Sequence, residues 1–118
     1  MALHTGSCHC GKVAFEVETD LEQVIECNCS ICRRKGYLLT FVPRGALKVI
    51  RGEEDLSTYT FNTHTIQHRF CSTCGAAPFG EGKQPTGEAT AAINVRCLET
   101  VELADLRTIP FNGRDARG

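Results

Sequence analysis

The sequence predicts a mainly β domain, and three observations carry that prediction. Apolar and polar residues alternate with a period of two in several short runs, the pattern of half-buried strands. Eleven glycines and four prolines are spread along the 118 residues and cut the chain into short elements. Helix signals are few and brief. With 118 residues there is no room for two independent cores, so the expected organisation is one domain, residues 1–118.

The elements follow in chain order. Residues 12–18 alternate and place Val13, Phe15 and Val17 on one face of a strand. Residues 30–35 have the length of a short helix, with Asn28 as cap and Gly36 as terminator. Residues 37–42 are a β-rich run stopped by Pro43. Strands are then expected at 47–51, 56–61 and 65–70, divided by residues 52–55 and 62–64, with the last two strands forming a hairpin. Residues 80–87 hold three glycines and Pro85 and read as a mobile loop, followed by a strand at 89–95. Residues 101–106 suit a second short helix capped by Thr100, and the polar residues 112–118 read as a loosely held tail.

Composition narrows the function classes. An apolar fraction of 42% and a charged fraction of 23% are ordinary for a soluble globular protein. No apolar run approaches the ~18 residues of a membrane span, and residues 1–6 lack the basic start and apolar stretch of a signal peptide. The expected location is therefore the cytoplasm. A net charge of −1, no tryptophan and 7% aromatic residues argue against nucleic acid as a partner, since one basic tripeptide is too small a footprint. Nothing in the sequence sets the oligomeric state.

Eight cysteines carry the functional signal: Cys8 and Cys10, then Cys27, Cys29 and Cys32, then Cys71 and Cys74, with Cys97 apart. In a reducing compartment such close spacing reads as metal ligation rather than disulfide pairing. Gly11 follows the first pair and Gly75 the last, and glycine supplies the positive φ that metal-binding turns often need. Two such turns complete a tetrahedral zinc site from Cys8, Cys10, Cys71 and Cys74, a crosslink that matters in a small domain. The competing reading, reduced cysteines used as small core hydrophobes, does not explain the spacing or the glycines. His9, between two ligands, is expected to point to the opposite side.

The triplet differs. Cys27, Cys29 and Cys32 lie at the entrance to the expected helix, where the dipole favours thiolates. Three thiolates on one zinc leave a fourth position to water, substrate or another side chain. Cys97 is the first candidate for it; the alternative is that Cys97 is a buried small residue ending the strand at 89–95. His64 and His68 are further candidates, although His68 shares a strand face with Ile66 and Phe70, and a satisfied or exposed histidine accounts for it more simply. Arg33, Arg34 and Lys35 adjoin the triplet and either form a solvated face or hold substrate carboxylates, with Arg96 in the same role beside Cys97. Three thiolates make a zinc site a weak Lewis acid, better suited to sulfur chemistry than to water activation.

Four segments match a known family: Gly6-Ser7-Cys8-His9-Cys10-Gly11, Cys27-Asn28-Cys29-Ser30-Ile31-Cys32-Arg33, Arg69-Phe70-Cys71-Ser72-Thr73-Cys74-Gly75 and Ile93-Asn94-Val95-Arg96-Cys97-Leu98. On these the chain resembles the glutathione-dependent formaldehyde-activating enzyme and centromere-protein-V family, which has the Mss4-like fold. The resemblance implies several small, coiled antiparallel sheets around two zinc sites, with one or two short helices. It implies a structural zinc on Cys8, Cys10, Cys71 and Cys74 and a catalytic zinc on Cys27, Cys29 and Cys32. It further implies carbon–sulfur lyase activity on an adduct of a small, glutathione-like thiol with an aldehyde. The rival expectation is a non-catalytic zinc-binding module for protein interaction, because relatives with this fold include chaperone-like and chromatin-associated proteins.

Overall fold

A computed structural model of the protein describes residues 2–61 and 64–114. It is mainly β, with ten strands and one short α-helix among the described residues. In chain order these are β1 (Ala2–Ser7), β2 (Ala14–Thr19), β3 (Val24–Cys27), α1 (Ser30–Lys35), β4 (Leu39–Pro43), β5 (Leu47–Arg51), β6 (Leu56–Tyr59), β7 (Gln67–Cys71), β8 (Phe79–Lys83), β9 (Ala89–Asn94) and β10 (Thr108–Phe111). They form a three-stranded sheet, β1-β2-β5, and a seven-stranded sheet, β10-β3-β4-β9-β8-β7-β6. All pairings are antiparallel except that of β10 with β3, which is parallel.

The alternation read from residues 12–18 places Phe15 and Val17 inward on β2, and Val13 is buried just before that strand. The core collects side chains from both sheets: Phe15, Val17 and Leu47 from the smaller, Val24, Val42, Phe79, Ala91 and Ile93 from the larger. Phe15 meets Phe79 edge to face, with ring centroids 5.9 Å apart at 73°, the geometry the ring quadrupoles favour. Gly6 on β1 makes this approach possible, because a Cβ there would come within 2.5 Å of Phe15 Cζ and 2.7 Å of the Cys97 carbonyl oxygen.

The hairpin expected from 56–61 and 65–70 is present as β6 and β7, paired Leu56 to Cys71 through Tyr59 to His68. Three expectations are corrected. Residues 80–87 are not a loop throughout: Phe79–Lys83 is a strand hydrogen-bonded on both sides, between β9 and β7. Only the turn beyond it is irregular, closed by Gln84 N–H to Glu88 O at 2.9 Å and Gly87 N–H to Gln84 O at 2.7 Å. The helix expected at 101–106 shrinks to a single 3₁₀ turn, Leu103–Asp105, with no side-chain cap. The six-residue α1 has a side-chain cap at one end and a left-handed glycine at the other, and this turn has no such side-chain cap. Thr100 Oγ1 instead lies 2.9 Å from His4 Nδ1. The tail is corrected in part: residues 112–114 are held by hydrogen bonds described below, and residues 115–118 lie outside the described residues.

Because Phe15 is fully buried where the two sheets meet, Phe15→Ala is expected to destabilise the fold by about 3–5 kcal/mol. Urea unfolding of wild type and variant measures this; a loss below ~1 kcal/mol would contradict the placement of Phe15 at the centre of packing.

Candidate metal centres

The first centre is built from two turns on different sheets. After β1 the chain folds back at once: Cys8 N–H donates to Val13 O at 3.0 Å, Gly11 N–H to Cys8 O at 3.3 Å, and Val13 N–H to Cys8 Sγ at 3.3 Å. Gly11 takes φ +82°. After β7 a matching turn forms, with Gly75 at φ +81° donating to Cys71 O at 2.9 Å and Thr73 N–H reaching Cys71 Sγ at 3.4 Å. Lys12 Nζ donates to Thr73 Oγ1 at 3.2 Å and links the two turns.

The sulfurs of Cys8, Cys10, Cys71 and Cys74 all lie within 4.8 Å of one another, with Cys8–Cys10 at 3.6 Å and Cys10–Cys71 at 3.7 Å. A tetrahedron of thiolates at ~2.3 Å from zinc has edges of about 3.8 Å, so this donor set fits zinc closely. Backbone amides favour the ionised form: the Ala76 N–H, then that of Cys10, lower Cys74 to about 6 against the opposing effect of burial. His9 is exposed and does not join the four.

The second centre sits where β3 runs into α1. The sulfurs of Cys27, Cys29 and Cys32 also lie within 4.8 Å of one another. Cys29, rather than Asn28, caps the helix, its Sγ accepting from Cys32 N–H at 3.5 Å, while Cys27 Sγ accepts from Cys29 N–H at 3.4 Å. Gly36 ends the helix in the left-handed region at φ +71° as expected, donating to Cys32 O at 2.9 Å. Burial and then the Cys29 thiolate push the Cys32 thiol well above its usual range. At Cys29 burial opposes ionisation, yet the Cys32 amide and the neighbouring thiols prevail and lower it. Three thiols this close cannot all ionise without a cation to compensate them, so this set too fits a metal. Tyr37 is buried against Cys32 and Ala77, and burial, then the Cys32 thiolate, push its phenol up to about 12.

A cavity of about 480 Å³ opens beside Cys27, lined by Glu26, Asn28, Arg33, Pro110, Phe111 and Asn112 as well as Cys27 itself. Of the three arginines singled out in the sequence, Arg33 faces this cavity. Arg34 Nη1 donates to Ser30 O at 3.0 Å, within its own helix, and Arg96 is exposed on the 3₁₀ turn Val95–Cys97. Cys97 belongs to neither converged set. It packs against the main core with its Sγ 3.8 Å from Ala77 O. His64 Nδ1 lies 2.8 Å from Thr60 Oγ1, and His68 stacks on Phe61 at 5.3 Å, its pKa lowered by burial and then by Lys35. Neither histidine joins the triplet.

The residues that sequence reasoning missed come from the far end of the chain. Asn28 N–H donates to Phe111 O at 3.2 Å, Asn28 Nδ2 to Asn112 Oδ1 at 3.0 Å, and Arg114 N–H to Asn28 Oδ1 at 2.9 Å. No local signal marks these contacts, whose partners stand more than 80 residues apart.

Fold and site together define a β protein organised around two thiolate clusters, one of four sulfurs and one of three. Residues 3–109 match the sequence profile of the family of glutathione-dependent formaldehyde-activating enzymes, and the chain belongs to that family. It is 35% identical over 81 residues to a Halomonas elongata protein provisionally named as such an enzyme, an alignment covering 61% of this chain and 52% of the relative. The chain thus spans about half the length of that curated relative. A crystal structure of a Rhodobacter sphaeroides protein, a structural-genomics target, superposes with a TM-score of 0.79 at 37% identity, covering 90% of this chain and 97% of that one. Among the described residues no helix is long and apolar enough to cross a membrane.

Burial, then the Cys8 and Cys74 thiolates, push the Cys97 thiol up to about 11 from 9.0. The raised value keeps Cys97 protonated through neutral pH, and its thiolate population at pH 8 is about a hundredfold below that of an unperturbed thiol. Iodoacetamide should therefore label Cys97 slowly at pH 8 and faster as pH rises toward 11, as read by peptide mass spectrometry. Rapid labelling at pH 8 would contradict its burial.

Proposed function

We propose that the chain forms and cleaves the carbon–sulfur bond between a small thiol of the glutathione type and an aldehyde, formaldehyde foremost, with two zinc ions per chain. The observation that carries this reading is the three-sulfur set of Cys27, Cys29 and Cys32 beside a cavity, with no further cysteine, histidine or carboxylate converging on it among the described residues. The name of the family and that of the Halomonas relative support the pairing of glutathione with formaldehyde.

In the forward direction a thiol R–SH and H₂C=O give R–S–CH₂–OH. A carbon–sulfur bond forms, the carbonyl π bond opens, and the proton lost from sulfur ends on oxygen; the reverse path cleaves the same bond. Cys27, Cys29 and Cys32 would hold one zinc, and zinc bound there supplies a site that favours a substrate sulfur as its thiolate. The three cysteine thiolates keep the centre electron-rich, which favours sulfur chemistry over hydrolysis. Arg33 lines the cavity and offers a guanidinium to a substrate carboxylate. Arg34, on the same helix, and Arg96, beside Cys97, are further candidates for a substrate carboxylate, although neither lines the cavity. Tyr37 stays protonated against Cys32 and closes the inner side of the triplet to water. Cys8, Cys10, Cys71 and Cys74 would hold the second zinc in a closed, structural set. A reducing compartment such as the cytoplasm suits the reading, because cysteines that hold a metal must stay reduced.

The direct test is turnover of S-hydroxymethylglutathione by the zinc-loaded protein. Absence of turnover with both zincs in place would overturn the lyase reading and leave a zinc module for protein interaction. Elemental analysis should give two zincs per chain, with Cys29→Ser losing one and keeping the folded circular-dichroism spectrum. Arg33→Ala should raise KM for the glutathione adduct about tenfold with kcat little changed, the loss of one charge-assisted contact. An unchanged KM removes Arg33 from the binding surface.

A further inference from the structure

We propose that residues 108–114 form a strap that positions Cys27 and walls one side of the triplet centre, with Asn112 and Gly113 as its positioning residues. The inference rests on reading the triplet as a metal site and not on the lyase reaction.

Strand β10 delivers the strap to the site, because its parallel register sets Phe111 beside Cys27. Beyond Phe111 the chain crosses the triplet loop, and Asn28 fastens it there. The Asn28 backbone amide donates to Phe111 O, its side-chain Nδ2 to Asn112 Oδ1, and its Oδ1 accepts from Arg114 N–H. Both ends of one amide side chain are thus committed to a single distant segment. A residue in the metal loop and a residue in the strap cannot move independently while those bonds hold.

Gly113 makes the closest approach. A Cβ built on it would overlap Cys27 Sγ, with Cys29 Cβ at 3.3 Å and Phe111 Cε2 at 3.4 Å. Gly113 is not among the glycines with positive φ, so the requirement for glycine comes from space and not from backbone conformation, the Cys27 sulfur first and the Cys29 Cβ after it. Phe111 and Asn112 line the cavity beside Cys27, together with Arg33. The strap beyond residue 109 lies past the stretch that matches the family.

The test uses the full-length, zinc-loaded chain and follows zinc transfer to the chromogenic chelator pyridylazo-resorcinol. Wild type should release two zincs in two phases, the triplet's the faster. Gly113→Ala and Asn112→Ala should accelerate the fast phase by about tenfold or more, the usual scale for losing an outer support of a metal ligand, and leave the slow phase unchanged. Gly45→Ala is the control, because a Cβ at Gly45 meets nothing within 4 Å; it should release zinc as wild type does. Unchanged fast phases in both variants overturn the strap. Equal acceleration of both phases also overturns it, because that reports general destabilisation. A single zinc in the wild type overturns the metal assignment of the triplet, and the strap with it. Lyase assays on the same preparations keep the two readings separable: altered release with no turnover upholds the strap and sinks the lyase.

Discussion

Four thiols from two turns are what the rest of this domain hangs on. Cys8 and Cys10 follow a strand of the three-stranded sheet, and Cys71 and Cys74 belong to the end of a strand and the turn of the seven-stranded one. The two pairs meet with Cys10 Sγ 3.7 Å from Cys71 Sγ and all four sulfurs within 4.8 Å of one another. The turn bearing Cys8 and Cys10 is clamped further on its other flank, where Gly52 comes so close to the Lys12 carbonyl that no side chain fits. Inward from the turn, Gly6 lets Phe15 reach Phe79 across the sheets. Thiol convergence, close backbone contact and aromatic packing thus reinforce one junction. A metal there binds the folded arrangement and not the unfolded chain, so its binding free energy adds to folding.

The two clusters share a chemistry and differ in surroundings. In the first, buried Cys8 and Cys71 sit behind turns whose amides point at sulfur. In the second, the supporting amides come from a helix start, and one side opens on a cavity with Arg33 at its wall. Closed coordination suits a crosslink, whereas a partly exposed set of three suits exchange of an incoming ligand. The difference comes from the elements that carry the cysteines: two tight glycine turns bring four sulfurs together, while a strand-to-helix junction gathers three beside a cavity.

The cysteine turns were legible because a close pair of cysteines with a following glycine records a tight turn in three or four residues. The same holds for β2, whose Val13-Phe15-Val17 alternation needs no partner to be seen. Strand β8 was hidden, since Gly80 and Gly82 dilute its β propensity; its place between β7 and β9 is set by neighbours rather than by its own side chains. Strand β10 is only four residues long and carries Pro110. Its apolar Ile109 and Phe111 stay exposed, so its place is set by pairing with β3 rather than by a buried face. Asn28 shows the limit most clearly. A cap is the local use of such an asparagine, but the Cys29 sulfur takes that position and the asparagine amide is used on residues 112 and 114. The sequence left two roles open for Cys97, because the placement of its sulfur near Ala77, outside the triplet, depends on packing and has no local signal.

The one parallel pairing among the described residues has a kinetic meaning. β3 and β10 lie at opposite ends of the chain, and their register joins Val24 to Thr108 and Cys27 to Phe111. Contacts of such long sequence separation form late, after the intervening sheet has shortened the loop they must close. The same edge strand, exposed along its whole length, has few buried contacts to hold it. It belongs to the part of the domain that opens at the smallest free-energy cost while the two-sheet core stays intact. Opening confined to that edge would uncover the three-sulfur cluster without breaking the contacts between the two sheets.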